Sequence, residues 1–344
     1  WMQKDGATAI DLFFKAPVYN KAELTVDTDL DVDQAWQTRA HCRINMQCAT
    51  GMGKTAMKAI IAAINSPVSV GDPNATHDRG FVVVADDLNG VFEVASKLYG
   101  LKFKKLENIQ TWHEEVDCFE VNNSDGSHVG ILYIDLFPRS TKRSGAWMNA
   151  LLDNGLYKGK IRRPHVLFCA SLTPSTKDKP SLLNYREVET VFHEFGHCLH
   201  GLLSDGKYQS TGGTNVFWDF VELPSQIMEN WVGEPEALKL FAKHFETDEV
   251  IPDELIQKIK KSSNYGSGYL SLRQLSLGYL DMAWYTNTKE VNDVEEFENK
   301  VTEKTKLFPT IPGMTISNSF GHIFSGGYSA GYYSYKWAEV LDAD

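Results

Sequence analysis

His193-Glu194-Phe195-Gly196-His197 spells H-E-x-x-H, and its neighbours place it on a helix. Val188, Val191, Phe192, Phe195, Leu199 and Leu202 recur at helical spacing and predict one apolar face. Two histidines four residues apart then project from adjacent turns of another face, where both imidazoles can reach one metal ion. Zinc takes neutral imidazole nitrogen at about 2.0–2.1 Å and, in catalytic sites, three protein ligands plus a water position. Glu194, beside the first histidine, is placed to act as general base on that water.

The third ligand must come from a carboxylate downstream. Metzincins continue as H-E-x-x-H-x-x-G-x-x-H, but this chain has His200 and Leu203 where glycine and histidine are required. Thermolysin-like sites place a glutamate about twenty residues after the second histidine, where this chain has Val216 and Phe217. Asp205, Asp219, Glu222 and Glu229 remain. Glu222 is the favoured ligand, because it stands just ahead of a helix whose first turn suits Pro224. Glu229, seven residues on, shares its helical face and could hydrogen-bond a ligand imidazole.

Working outward, residues 90–100 predict a helix, Val129–Phe137 a buried strand followed by the basic turn Arg139–Arg143, and Val166–Leu172 a second apolar strand. Helical periodicity dominates from there to Asp344. No run of about 18 apolar residues occurs, so no membrane span is expected. Trp1 to Asp11 carry charges where a secretory signal needs an apolar core, so no signal peptide is expected. Among 344 residues, 34 are basic and 45 acidic, a net charge of −11 that repels phosphate backbones and disfavours nucleic-acid binding. Five scattered cysteines without a C-x-x-C pair suit reduced thiols and a cytoplasmic setting. Cys198 should point away from His197 and serve packing.

His193 to Gly201 followed by Asp219 to Trp231 resembles the thimet oligopeptidase family of zinc peptidases, which includes oligopeptidase A and peptidyl-dipeptidase. Asp125-Gly126-Ser127-His128, Phe137-Pro138-Arg139, Lys142 to Met148, Ser319 to Phe324 and Gly326 to Tyr335 match in the same order. The resemblance implies a mainly α, zincin-type catalytic region over 88–344 with a small β-sheet, shortened at both ends relative to the family. It implies Zn2+ held by His193, His197 and Glu222, with short peptides as substrates. It assigns oxyanion stabilisation to Tyr328 and Tyr335, and a substrate or transition-state contact to His322. It also makes Val166–Leu172 the edge strand that pairs with substrate backbone. Packing is left to Tyr332 or Tyr333.

Residues 1–87 differ. Ala49-Thr50-Gly51-Met52-Gly53-Lys54-Thr55 resembles motif I of superfamily-two helicases, with Lys54 and Thr55 as phosphate and magnesium contacts, although Cys48 replaces the first P-loop glycine. A P-loop-like α/β segment is expected there, ending in a strand at Phe81–Ala85, with Ile131–Asp135 only imitating a Walker-B strand. The leading expectation is thus a zinc-dependent oligopeptidase or peptidyl-dipeptidase. The competing ones are an ATP-dependent nucleic-acid protein with an inert peptidase-like region, and a catalytically dead shortened peptidase.

Overall fold

The computed structural model describes Val83–Val84 and residues 88–263 and 265–343; the segment containing Lys54 and Thr55 lies outside the described residues. In chain order the strands are β1 (Val83–Val84), β2 (Lys102–Lys105), β3 (Asp117–Asn122), β4 (His128–Asp135), β5 (Ala146–Leu152), β6 (Gly155–Tyr157), β7 (Lys160–Arg162), β8 (His165–Ala170) and β9 (Leu182–Leu183). The helices are α1 (Asn89–Tyr99), α2 (Tyr185–Leu202), α3 (Trp218–Val221), α4 (Leu223–Glu229), α5 (Pro235–Phe241), α6 (Asp253–Ser263), α7 (Ser267–Thr286), α8 (Val294–Thr302), α9 (Gly321–Phe324) and α10 (Ser334–Asp342).

A five-stranded mixed sheet runs β2-β3-β4-β8-β5, antiparallel except for the parallel β4–β8 pair. The chain is therefore more mixed than the mainly helical expectation. Two of the extra strands, β2 (K-F-K-K) and β3 (D-C-F-E-V-N), mix charged or polar residues with few apolar ones, and their largely part-exposed pattern gives a weak apolar signal. Phe92 of α1 stacks on Phe103 of β2 at 4.1 Å, and Phe195 of α2 meets both rings at 5.7 and 5.9 Å. Both helices thus lie on one face of the sheet. The predicted apolar face of α2 is buried throughout, from Val188 to Leu202.

One expectation is corrected here. The strand at Val166–Leu172 is not an edge: β8 sits between β4 and β5 and buries Val166, Phe168, Cys169 and Ala170. Its unbroken apolar run is what a strand covered on both faces requires. Among the described residues the end strand next to it is β5, where Asn149, Ala150 and Leu151 are exposed.

The basic turn has a structural task. Arg139 grips both oxygens of Asp135 at 2.7 Å, Lys142 adds a contact at 2.8 Å, and the Trp112 indole donates at 3.0 Å. Asp135 is 2% exposed. Burial works to raise its carboxyl, but those donors outweigh burial and hold it well below the usual carboxylate range. This cluster pins the end of β4 to the turn that leads into β5.

Two residues of the N-terminal segment are placed: Val83 and Val84 pair antiparallel with Leu183 and Leu182. A second core forms where Leu277 and Leu280 of α7 meet Phe320, Ile323 and Tyr332. Cys198 is fully buried in the main core, as read from its place on the helix.

Candidate metal centre

Asn184 caps α2: its side chain accepts from the Arg186 and Glu187 amides, and the Glu187 carboxylate accepts from the Asn184 amide at 3.0 Å. The helix then runs 18 residues and carries His193, Glu194 and His197 along the side facing α4. Glu222 occupies the junction where α3 ends and α4 begins, with Pro224 in the first turn of α4.

The two helices meet backbone to backbone at Gly196. A Cβ there would lie 2.5 Å from the Pro224 carbonyl oxygen, so only glycine lets α4 come this close. The sequence offered a signal that the spacing argument passed over, since a glycine inside an otherwise strong helix often marks close packing.

His193 Nε2 and His197 Nε2 converge on one oxygen of Glu222, Oε2, at 3.3 and 3.2 Å. The three donor atoms lie within 4.8 Å of one another. In a tetrahedral zinc site with bonds of about 2.0–2.1 Å, neighbouring ligand atoms stand about 3.3 Å apart. The donor set and its spacing therefore fit a zinc ion. His193 Nδ1–H donates to Glu229 Oε1 at 2.5 Å, which fixes the ring and leaves Nε2 facing the centre. The Glu222 carboxyl is 1% exposed. Burial would raise it, but the two imidazoles hold it far below the normal range.

Glu194 is 7% exposed. Burial pushes its carboxyl up, against the pull of His193 and His197. A carboxylate raised towards neutrality accepts a proton more readily than a solvated one.

The tyrosine loop closes the site from the C-terminal side. Tyr328 donates its phenol proton to Glu222 Oε1 and stacks on Tyr335 at 5.5 Å between ring centres. Trp218 of α3 packs on Tyr328 at 4.5 Å. Burial, and then the Glu222 carboxylate, push both phenols well above the usual tyrosine value, so both keep the proton a donor needs. His322 lies on the exposed side of this cluster, 5.8 Å from the Tyr328 ring, and its carbonyl accepts from the Tyr328 amide. Tyr332 is buried, whereas Tyr333 is exposed and reaches Asp219 at 3.4 Å. Of the pair left for packing, Tyr332 takes that place.

A cavity of about 420 Å³ lies beside α2, lined by Gly196, Leu199, His200 and Phe220. None of His193, Glu194, His197 or Glu222 borders it.

The pattern of peptidase family M3 matches residues 70–344. The chain belongs to peptidase family M3. This M3 chain is 39% identical over 285 residues to the organellar oligopeptidase A of Arabidopsis thaliana, covering 79% of this chain and 36% of that protein. It is 38% identical over 262 residues to oligopeptidase A of Escherichia coli, covering 75% and 38%. Dipeptidyl carboxypeptidase of Escherichia coli is also 38% identical over 262 residues, covering 74% and 38%. The chain therefore spans well under half the length of these relatives. Its relatives in this family bear the names oligopeptidase A and dipeptidyl carboxypeptidase. Among the described residues, no helix is long and apolar enough to cross a membrane.

Proposed function

We propose that the chain hydrolyses peptide bonds in short peptides, with zinc held by His193, His197 and Glu222. The observation that carries this is the convergence of two imidazoles on one Glu222 oxygen beside the buried Glu194. Zinc, when bound there, supplies a Lewis acid for the scissile carbonyl and lowers the pKa of water. Glu194 takes a proton from the attacking water and returns it to the leaving amine; its raised affinity for protons suits both steps. Tyr328 and Tyr335 donate to the oxygen that gains charge in the transition state. For that, the Tyr328 phenol must turn away from Glu222 by rotation of its own side chain, with the loop backbone staying in place. His322, on the exposed rim, is positioned to contact peptide. Glu229 holds the His193 ring.

Among the described residues no strand pairs with the outer side of β5, which therefore offers backbone groups to an extended peptide, the role that the family resemblance assigned to β8. The relatives named above include both an oligopeptidase and a dipeptidyl carboxypeptidase, so the lengths of the products decide the cleavage mode.

The test is cleavage of blocked peptides with and without a chelator, with Glu194→Gln and Glu222→Gln in parallel. Glu194→Gln is expected to bind zinc and lose turnover, and Glu222→Gln to lose both. Full activity in Glu194→Gln would remove the assigned base.

A further inference from the structure

We propose that Asp281 is a positioning residue for the tyrosine loop, gripping its backbone on both sides of Gly331 and so fixing where the Tyr328 and Tyr335 phenols stand. This rests on the tyrosine roles proposed above.

Helix α7 has 20 residues, and the buried ones are Leu277, Leu280 and Asp281. A helix that only packs would place a third apolar side chain at such a position, because an acid without partners is costly to bury. Asp281 is 0% exposed, and both of its oxygens are used. Oδ1 accepts from the Ala330 amide at 2.8 Å and Oδ2 from the Tyr332 amide at 2.9 Å. Neither partner is a side chain. The carboxyl reads the shape of the loop rather than a charge.

That shape is unusual. Ala330 has φ +53°, a left-handed conformation that a residue with a Cβ adopts reluctantly. From Gly326 to Ser334 the main-chain bonds are local: Tyr328 N–H bonds the His322 carbonyl at 3.0 Å, and Gly331 N–H bonds the Tyr328 carbonyl at 2.9 Å. Those bonds hold the loop to itself. Further on, Gln226 of α4 donates to the Tyr335 carbonyl at 3.1 Å. The Asp281 bonds reach the loop from another helix and tie it to the second core. Tyr328 lies two residues before the first gripped amide, and Tyr335 three residues after the second.

The clamp needs two acceptors on one planar group. Asparagine offers one acceptor and a pair of donors, so it would set an N–H against a backbone amide. Because a small misplacement of a donor weakens transition-state binding more than substrate binding, releasing the clamp should lower kcat with little change in KM.

The experiment compares Asp281→Asn with the wild-type full chain in three measurements. Hydrogen–deuterium exchange at the Ala330 and Tyr332 amides should rise by about tenfold or more, with the amides of α2 unchanged. Peptide turnover should show kcat down by about tenfold or more, with zinc content and KM near wild type. In a Tyr328→Phe,Tyr335→Phe background, adding Asp281→Asn should change kcat by less than about twofold, because groups acting as a unit are not additive. Asp281→Glu, which keeps both acceptors but displaces them by one methylene, is measured alongside and should show the same direction if the asparagine form fails to fold. Unchanged exchange at the two amides overturns the clamp. Full kcat in the Asp281 variants, beside a slowed Tyr328→Phe, overturns the positioning role alone. Full kcat in Tyr328→Phe,Tyr335→Phe overturns the tyrosine roles, and the positioning role falls with them.

Discussion

The backbone of Ser225 lies against Gly196 so closely that a Cβ on the glycine would stand 2.6 Å from the Ser225 Cα. The zinc-motif helix and the helix bearing Glu222 and Glu229 are therefore separated by the thickness of bare backbone. Gly196→Ala must push α4 outward. Overpacking of this kind costs about 1–3 kcal/mol. The displaced Glu222 should also weaken metal binding, so a lower melting temperature and a substoichiometric zinc content are expected together. An alanine variant that melts and binds zinc like the wild type would contradict the contact.

Glu229 touches no other member of the metal cluster, yet it holds the His193 ring at 2.5 Å. Glu229→Gln should preserve the fold and reduce zinc affinity by about 10–100-fold, in line with the loss of partners to ligand histidines elsewhere. Competition with a calibrated chelator measures it. Equal affinity would show that the ring is oriented by packing alone.

Removal of zinc should destabilise the chain as well as silence it. A ligand that binds only the folded form adds about 4 kcal/mol when present at a thousand times its dissociation constant. Melting curves in excess chelator, then after zinc is restored, should differ by several degrees and return. No difference would mean that the histidine–glutamate centre holds no metal in solution.

Asp135 gives a pH signature unrelated to catalysis. Its folded-state pKa is depressed by Arg139, Lys142 and Trp112, which outweigh its burial. The cluster therefore stabilises the fold in full above the ordinary carboxylate pKa of about 4 and loses that contribution as pH falls below it. Asp135→Asn should cost about 3–5 kcal/mol near neutrality, because it leaves buried Lys142 without its charge partner. The gap between wild type and variant should narrow below pH ~4. Urea unfolding at a series of pH values reads this, and a gap that stays constant with pH would rule the ion pairs out as its source.

What could be read in advance was what repeats locally. The apolar face of α2, the H-E-x-x-H spacing, the strand at β4 and the helix beginning near Pro224 all depend on residues a few places apart. Glu222 could be singled out because spacing removed the other schemes and a helix start pointed to it. Partnerships across long stretches of chain left no such trace. Asp281 meets its amides about fifty residues away, Gly196 meets Ser225 across a loop and a short helix, and the apolar run of β8 names a strand without naming its neighbours. The family resemblance assigned the edge role to β8, and nothing in its apolar run could correct that assignment. Burial on both faces and lateral position are different properties, and hydropathy reports only the first.

Among the described residues nothing pairs with the outer side of β5, and this bears on how the protein behaves in concentrated solution. Ala146 to Leu152 contains no lysine, arginine, acid or proline, the residues that usually keep such an edge from recruiting stray strands. An unguarded row of amides and carbonyls does not distinguish a peptide in transit from an extended segment of a second molecule. Light scattering at rising concentration should therefore detect growing assemblies, which an extended peptide ligand disperses. Crowding and substrate would compete for the same ladder.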